Sequence, residues 1–441
     1  MLVMKFGGTS VGDAERIKDV ASLVKSFLRR KPIVVVSAVA KITDALITLA
    51  RESAKGPGDG ALQRIHRAHD GIISQLDLDA RLLEKEFREL GSLAAKTSKK
   101  RKLDRKTMDH FQSFGERMSA RIVAAHLNKI GVKAQAFPAW EMGMITNEEF
   151  GDAEPLESSP ALIKKKVTAL RVVPIITGFI GKTKKGEIVT LGRGGSDYTA
   201  AIIGAAINAE SIQVWKEVDG IMTTDPRIVP EAKTVPELAF EEACELAYFG
   251  AKVLHPKAIL PAMNKGIPVQ VLNTFNPRGK GTTIVSNFKE REKESDTVEA
   301  FTHKKNITII HIRSPEFFEG TGLLAHIFGL FEQHDTGVDI VSTSVVSVSL
   351  TIDTDEHLGS ILPGLRKLGD VEVVGGKAIV CAVGGKVNAA GVAGRMFTVL
   401  GEHNIAVEMI SQAASDISIT FVVDDKDAQE AIRILHREYI R

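Results

Sequence analysis

The sequence predicts an α/β protein: one large αβα domain with a largely parallel sheet, followed by two small βαββα modules. Three observations carry this. Short β-branched runs alternate with helical stretches over residues 1–285, as in a parallel sheet with crossover helices. A charged segment almost without apolar residues, 286–297, breaks that pattern and reads as a linker. Beyond it one β-α-β-β-α order occurs twice, a tandem repeat of a ferredoxin-like unit.

Taking the elements in order, Leu2 to Phe6 is a short strand and Asp13 to Arg30 a charged amphipathic helix. Pro32 to Ser37 is a continuous β-branched run, as expected of a strand covered on both faces. Thr43 to Ala54 reads as helix, and 61–130 as long helices rich in both charges. Strand-like runs recur at Val132–Phe137, Val172–Thr177, Ile188–Leu191, Ser211–Trp215 and Pro268–Leu272. In the first module the strands are Ile307–Ile312, Val338–Thr343 and Val345–Ile352, with helices Gly322–His334 and Glu356–Leu368. The second repeats them at Ala378–Val383, Ala406–Ser411 and Ile417–Val423, with helices Gly391–His403 and Asp427–Arg437. Its last helix leaves no room for a fourth strand, whereas Val298–Thr302 is spare. An open sheet edge is a liability, so 298–302 is expected to pair in the second module. The expected domains are 1–285, 298–376 and 377–441, with 286–297 as linker.

The chain has 441 residues, 44% of them hydrophobic, enough for several packed cores. Its 57 basic and 55 acidic side chains leave a formal charge of +2, so no bulk attraction to nucleic acid or an anionic membrane is expected. The basic run Lys99–Lys106 has no interleaved aromatic residue and reads as a solvated loop. Cys244 and Cys381 lie far apart in apolar runs and read as free thiols. With no leader-like N-terminus and no membrane-length apolar run, a cytoplasmic protein is expected.

Two glycine-rich stretches concentrate the chemistry. Lys5-Phe6-Gly7-Gly8-Thr9-Ser10 ends the first strand. It supplies a cation, close-approach amides and two hydroxyls, a cradle for phosphate oxygens. It matches neither the Walker A loop nor the dinucleotide fingerprint. Gly192-Arg193-Gly194-Gly195-Ser196-Asp197 joins a strand to an alanine-rich helix, so the helix-start amides face the same space as the Arg193 fork. Ligands of parallel sheets bind at the carboxyl ends of strands, where both stretches fall.

With Ser37-Ala38, Thr43-Asp44-Ala45-Leu46, Phe114-Gly115-Glu116-Arg117, Trp215-Lys216-Glu217-Val218-Asp219-Gly220, Thr224-Asp225-Pro226-Arg227 and Phe249 to Pro256, these motifs resemble aspartate kinase, in order along nearly the whole chain. The resemblance implies an amino-acid-kinase αβα sandwich and two C-terminal ACT domains. It implies transfer of phosphate from Mg-ATP to the β-carboxylate of L-aspartate, the entry to lysine, threonine and methionine synthesis. Lys5 then lies at the γ-phosphate with Asp197 orienting it, while Ser37, Thr43, Glu116, Arg193 and Ser196 bind aspartate. Gly7, Gly8, Ser10, Lys216, Glu217, Arg227 and Lys252 serve ATP. Many relatives carry Thr-Asp in place of Lys216-Glu217 and Tyr in place of Met222. Magnesium is expected to arrive with ATP; His66, His69 and His255 lack further ligands at metal spacing.

By the same resemblance an amino-acid effector binds the first ACT module through the 317–322 loop, including Gly320 and Gly322, with Asp339 on its ammonium and Ser344 nearby. Lysine-inhibited relatives often have Glu where this chain has Val345, so threonine is a candidate beside lysine. A homodimer or larger assembly through the ACT modules is expected. Two alternatives remain: a kinase of this fold acting on another acid, and a non-catalytic amino-acid sensor.

Overall fold

The computed structural model describes residues 1–251, 253–286, 298–314, 322–412 and 417–440. The chain forms two compact units. The first holds Met1–Ile221, Pro236–Phe240 and Val253–Glu290, and the second holds Met222–Val235, Glu241–Lys252 and Arg291–Arg441. A cut at residue 285 therefore does not separate them. Segment 222–235 belongs with the second unit because Ile228 and Val229 are buried in its core. In addition, Thr223 Oγ1 lies 2.9 Å from His436 Nε2, and Arg433 Nε donates to the Ile228 carbonyl at 3.2 Å.

In chain order the elements are β1 (Leu2–Phe6), α1 (Ala14–Ser26), β2 (Pro32–Val36), α2 (Ile42–Lys55), α3 (Asp59–Gln75), α4 (Glu84–Lys100), α5 (Arg105–Lys129), β3 (Ala134–Phe137), β4 (Ile145–Thr146) and α6 (Ser159–Thr168). There follow β5 (Val173–Thr177), β6 (Ile180–Thr183), β7 (Ile188–Thr190), α7 (Gly195–Ile207), β8 (Ser211–Lys216), β9 (Glu237–Ala239), α8 (Phe240–Tyr248), α9 (Pro256–Met263), β10 (Val269–Asn273) and β11 (Thr282–Val285).

The first unit is organised around an eight-stranded sheet in the order β3-β5-β2-β1-β8-β10-β11-β9. Every pairing is parallel except β10 with β11. β1 lies centrally, with Lys5 opposite Val35 of β2 and Val214 of β8. All residues of β1 and β2 are buried, which is why both read as unbroken apolar runs. Helices α1 to α5 pack Ile17, Leu46, Ile65, Leu90, Phe111 and Phe114 into one core with β1 and β2. α7 is buried along almost its whole length and is apolar all round. β4, β6 and β7 form a separate three-stranded sheet.

In the second unit β12 (Ala300–Arg313), α10 (Leu323–Gln333), β13 (Val341–Thr343), β14 (Ser347–Ile352), α11 (Leu358–Leu365), β15 (Asp370–Val383), α12 (Val392–Glu402), β16 (Met409–Gln412), β17 (Ser418–Asp424) and α13 (Ala428–Tyr439) follow one another. The two modules share a single six-stranded sheet, β13-β14-β12-β15-β17-β16. β12 and β15 are 14-residue strands that serve both modules. Ala300 to Lys304 pair with Val383 to Ile379, beside β17, and Ile309 to Arg313 pair with Val374 to Asp370, beside β14. Each half has its own core, one around Ile310, Ile327 and Leu350, the other around Val380, Leu400 and Phe421. Among the described residues no helix is long and apolar enough to cross a membrane, and Cys244 and Cys381 are free.

Candidate active site

The carboxyl end of β1, the turn after β2, the middle of α5 and the N-terminus of α7 enclose a cleft of about 450 Å³. Lys5, Gly8, Ser37, Thr43, Glu116, Arg193, Ser196 and Asp197 all line it. Close backbone approach makes this possible. A Cβ on Gly8 would stand 2.8 Å from the Ala38 carbonyl oxygen. Gly194 caps α7 with φ of 69°, a left-handed conformation that glycine adopts without cost. The turn before α7 thereby delivers Ser196 and Asp197 in the helix's first turn, where the free N–H groups and the positive dipole end favour an anion.

Three charges meet at the floor. Lys5 Nζ is 2.6 Å from Asp197 Oδ1, and Lys216 Nζ is 3.2 Å from Asp197 Oδ2. Lys5 is 5% exposed and Asp197 7%. Burial alone would raise the Asp197 pKa, but the two ammonium groups outweigh it and hold the carboxyl below its ordinary value. Burial lowers the Lys5 pKa, opposed in part by Asp197.

Glu116 projects from α5 on the other side. Its Oε1 accepts the Ala38 N–H at 3.1 Å, while Oε2 is buried without a hydrogen-bond partner. Burial pushes its pKa up to about 8, against the opposing pull of the Ala38 N–H and the Lys5 charge. Arg193 is exposed on the rim with no ion-pair partner among the described residues. The site thus joins a buried cation pair, a helix start, an open guanidinium and a carboxyl short of a donor: a pocket for a small zwitterion beside a phosphate.

Other expected site residues fall elsewhere. The Gly7 N–H donates to the Trp215 carbonyl at 3.3 Å. Ser10 is fully buried, with its hydroxyl 2.8 Å from Thr274 Oγ1. Both tie the segment after β1 to its neighbours, Gly7 and Ser10 to the end of β8 through the Trp215 carbonyl and Ser10 also to Thr274 beyond β10. Lys216 turns to Asp197, and Glu217 is exposed. Arg227 lies in the second unit, forked onto Asp225 at 2.6 Å. Lys252 and Gly320 lie outside the described residues. Gly322 caps α10 with φ of 110°, and Ser344 Oγ is 2.7 Å from Ser347 Oγ. Asp339 is not open as expected. Its Oδ1 accepts Lys304 Nζ at 2.7 Å and the Tyr248 hydroxyl at 2.7 Å, so a tethered ammonium already holds it, and only Oδ2 lacks a partner. His69 is buried with Nδ1 on the Ile65 carbonyl, and His66 stacks on Phe87.

Lys41 and Phe179 also line the cleft, unforeseen from the sequence, as do Asp44 and Gly192, which belong to the motifs but had no task of their own. The available signal was Thr177-Gly178-Phe179, a β-branched strand followed at once by glycine, as β1 is by Gly7.

The fold and site define a small-molecule kinase, and comparison with known proteins agrees. The amino acid kinase family model matches residues 1–273, and an ACT domain model matches 380–439. Aspartokinase 1, chloroplastic, of Arabidopsis thaliana is 39% identical over 99% of this chain and 80% of its own. Lysine-sensitive aspartokinase 3 of Escherichia coli is 36% identical over 99% and 98%. The crystal structure of E. coli aspartokinase III in complex with aspartate and ADP (R-state) superposes with a TM-score of 0.84 at 34% identity, covering 100% of both chains. The chain belongs to the aspartokinase family.

Proposed function

We infer that the chain transfers the γ-phosphoryl group of ATP to the β-carboxylate of L-aspartate, giving 4-phospho-L-aspartate and ADP. The observation that carries this is the cleft itself: Lys5 and Asp197 at the start of α7, facing a Glu116 that lacks a donor. An aspartate carboxylate is ionised at pH 7, so no general base is required. Its oxygen attacks the γ-phosphorus, the new O–P bond forms, and the bond to the β,γ-bridging oxygen breaks as ADP leaves. Positioning and charge stabilisation then dominate the catalysis. Lys5 meets the charge on the transferring group. The Arg193 fork suits the α-carboxylate, and Glu116 the ammonium. Ser37, Thr43 and Ser196 supply hydroxyls along the cleft.

Magnesium would arrive with ATP, where it would supply charge neutralisation on the phosphates. The free thiols Cys244 and Cys381 suit a reducing cytoplasm. The shared β12–β15 sheet is read as a regulatory unit that binds an amino-acid effector, threonine or lysine, and joins subunits into a homodimer or larger assembly. The effector's ammonium would compete with Lys304 for Asp339.

The test is hydroxylamine trapping of the acyl phosphate from ATP with aspartate, glutamate and N-acetylglutamate. Hydroxamate from aspartate alone is expected. Product from another acid, or from none, overturns the reading.

A further inference from the structure

We infer that Lys216 is a positioning residue for phosphoryl transfer, which holds the Asp197 carboxylate so that the Lys5 ammonium keeps its hydrogens for the phosphoryl oxygens. The inference rests on the kinase reading above and gives Lys216 a task other than nucleotide contact.

The two lysines do not meet Asp197 in the same way. Lys216 Nζ donates a directed hydrogen bond to Oδ2 at 3.2 Å. Lys5 is closer, 2.6 Å from Oδ1, but approaches it obliquely, outside the geometry of a well-aligned hydrogen bond, so charge attraction is a large part of that contact. A carboxylate that accepted a well-aligned hydrogen bond from Lys5 would turn one ammonium hydrogen away from the substrate. Anchored instead through its other oxygen, Asp197 fixes where Lys5 stands without claiming those donors.

The chain geometry supports a purpose-built cluster. Lys5 is the last residue but one of β1, Lys216 ends the adjacent parallel strand β8, and Asp197 is in the first turn of α7. The Lys216 side chain is 20% exposed and those of Lys5 and Asp197 are 7% and 8%, so solvent screens the contacts weakly. Two ammonium groups around one carboxylate leave a net positive site at the point where negative charge spreads in the transition state.

The charged groups facing Lys5 are Asp197 from α7, Lys216 at the end of β8, Glu217 just beyond it, and Glu116 from α5. Among them Lys216 lowers the Lys5 pKa and Asp197 raises it. Loss of the Lys216 charge should therefore let Lys5 hold its proton to higher pH.

The experiment compares wild type, Lys216→Met and Lys216→Arg in kcat, KM for ATP and the pH profile of kcat. For Lys216→Met, kcat is expected to fall about 10- to 100-fold, with KM for ATP changed less than about threefold. The alkaline limb should move to higher pH. Lys216→Arg should restore most of kcat and return the limb toward its wild-type position, which also covers the case of a poorly folded methionine variant. A rise in KM for ATP with kcat intact would return Lys216 to the nucleotide and overturn the inference. So would an unmoved limb, or a loss of kcat that merely follows loss of folded protein. Wild type that makes no acyl phosphate from aspartate would instead sink the kinase reading.

Discussion

Glu116 makes aspartate binding depend on pH in a way that can be worked out in advance. Its pKa of about 8 means that the unliganded enzyme carries it mostly protonated at neutral pH. An ammonium can pair only with the ionised form, so binding must expel a proton. At pH 7, one unit below that pKa, about a tenth of the enzyme is ready. The apparent affinity for aspartate should therefore be about tenfold weaker at pH 7 than on a plateau above pH 9, and about a hundredfold weaker at pH 6. Folding responds in the opposite sense. A carboxyl whose pKa is raised in the folded state stabilises it below the unfolded value of 4.5, and that advantage is lost as pH rises toward 8. Glu116→Gln keeps the side chain's shape and removes the titration. It should raise KM for aspartate at pH 8.5, abolish the slope between pH 6 and 8, and raise Tm relative to wild type at pH 8.5. The assays are ADP release at saturating ATP, calorimetry in buffers of different ionisation enthalpy to count the released proton, and thermal melts. A KM for aspartate that is flat from pH 6 to 8.5 in wild type, or a slope that persists in Glu116→Gln, would refute the assignment.

Lys5→Ala should lower kcat by about a hundredfold or more, because it removes the cation that meets developing charge; near-normal turnover in folded protein would exclude Lys5 from that task. Arg193→Ala should raise KM for aspartate far more than KM for ATP, read from paired substrate titrations, and equal effects would detach it from the α-carboxylate. In the second unit, Asp339→Ala strips Lys304 and Tyr248 of a shared buried acceptor. It should lower stability by about 1–3 kcal/mol in urea melts and weaken inhibition by threonine or lysine; unchanged inhibition would place the effector elsewhere.

The fold was legible wherever a local pattern was strong enough to stand alone. β1 and β2 are unbroken apolar runs, and their length and burial leave little choice. β4, β6, β9 and β11 carry no periodicity legible in the sequence, because they have only two to four residues, some of them polar. In the second unit Lys304-Lys305-Asn306 looked like a break between strands. The chain instead runs through it as β12, and a register shift against β15 with Asn306 at φ of 58° absorbs the polar triplet. The fourth strand of the first module, the start of β15, was hidden likewise, because Asp370 to Gly376 is largely exposed and alternates poorly.

The site divides along a different line. Motifs identified the residues, but a motif does not say what each side chain faces, and buried charge decides that. A carboxylate withdrawn from water needs a cation or hydrogen-bond donors nearby. Asp197 has Lys5 and Lys216, which lie 192 and 19 positions away in sequence, and only the parallel pairing of β1 with β8 puts them side by side. Asp339 has Lys304, so the chain itself supplies the ammonium that an effector was expected to bring. Glu116 differs from both. It is 3% exposed, has one backbone donor and no ion-pair partner among the described residues, and is ionised only reluctantly. Of Asp197, Asp339 and Glu116, only Glu116 has no lysine already bound to it among the described residues. An added amino acid meets little resistance at Glu116 beyond one proton, whereas at Asp339 it must displace a lysine that Asp353 also holds at 2.8 Å. Substrate should therefore saturate the catalytic cleft at concentrations where the Asp339 site is still closed, and an effector must bring contacts beyond its ammonium to open it.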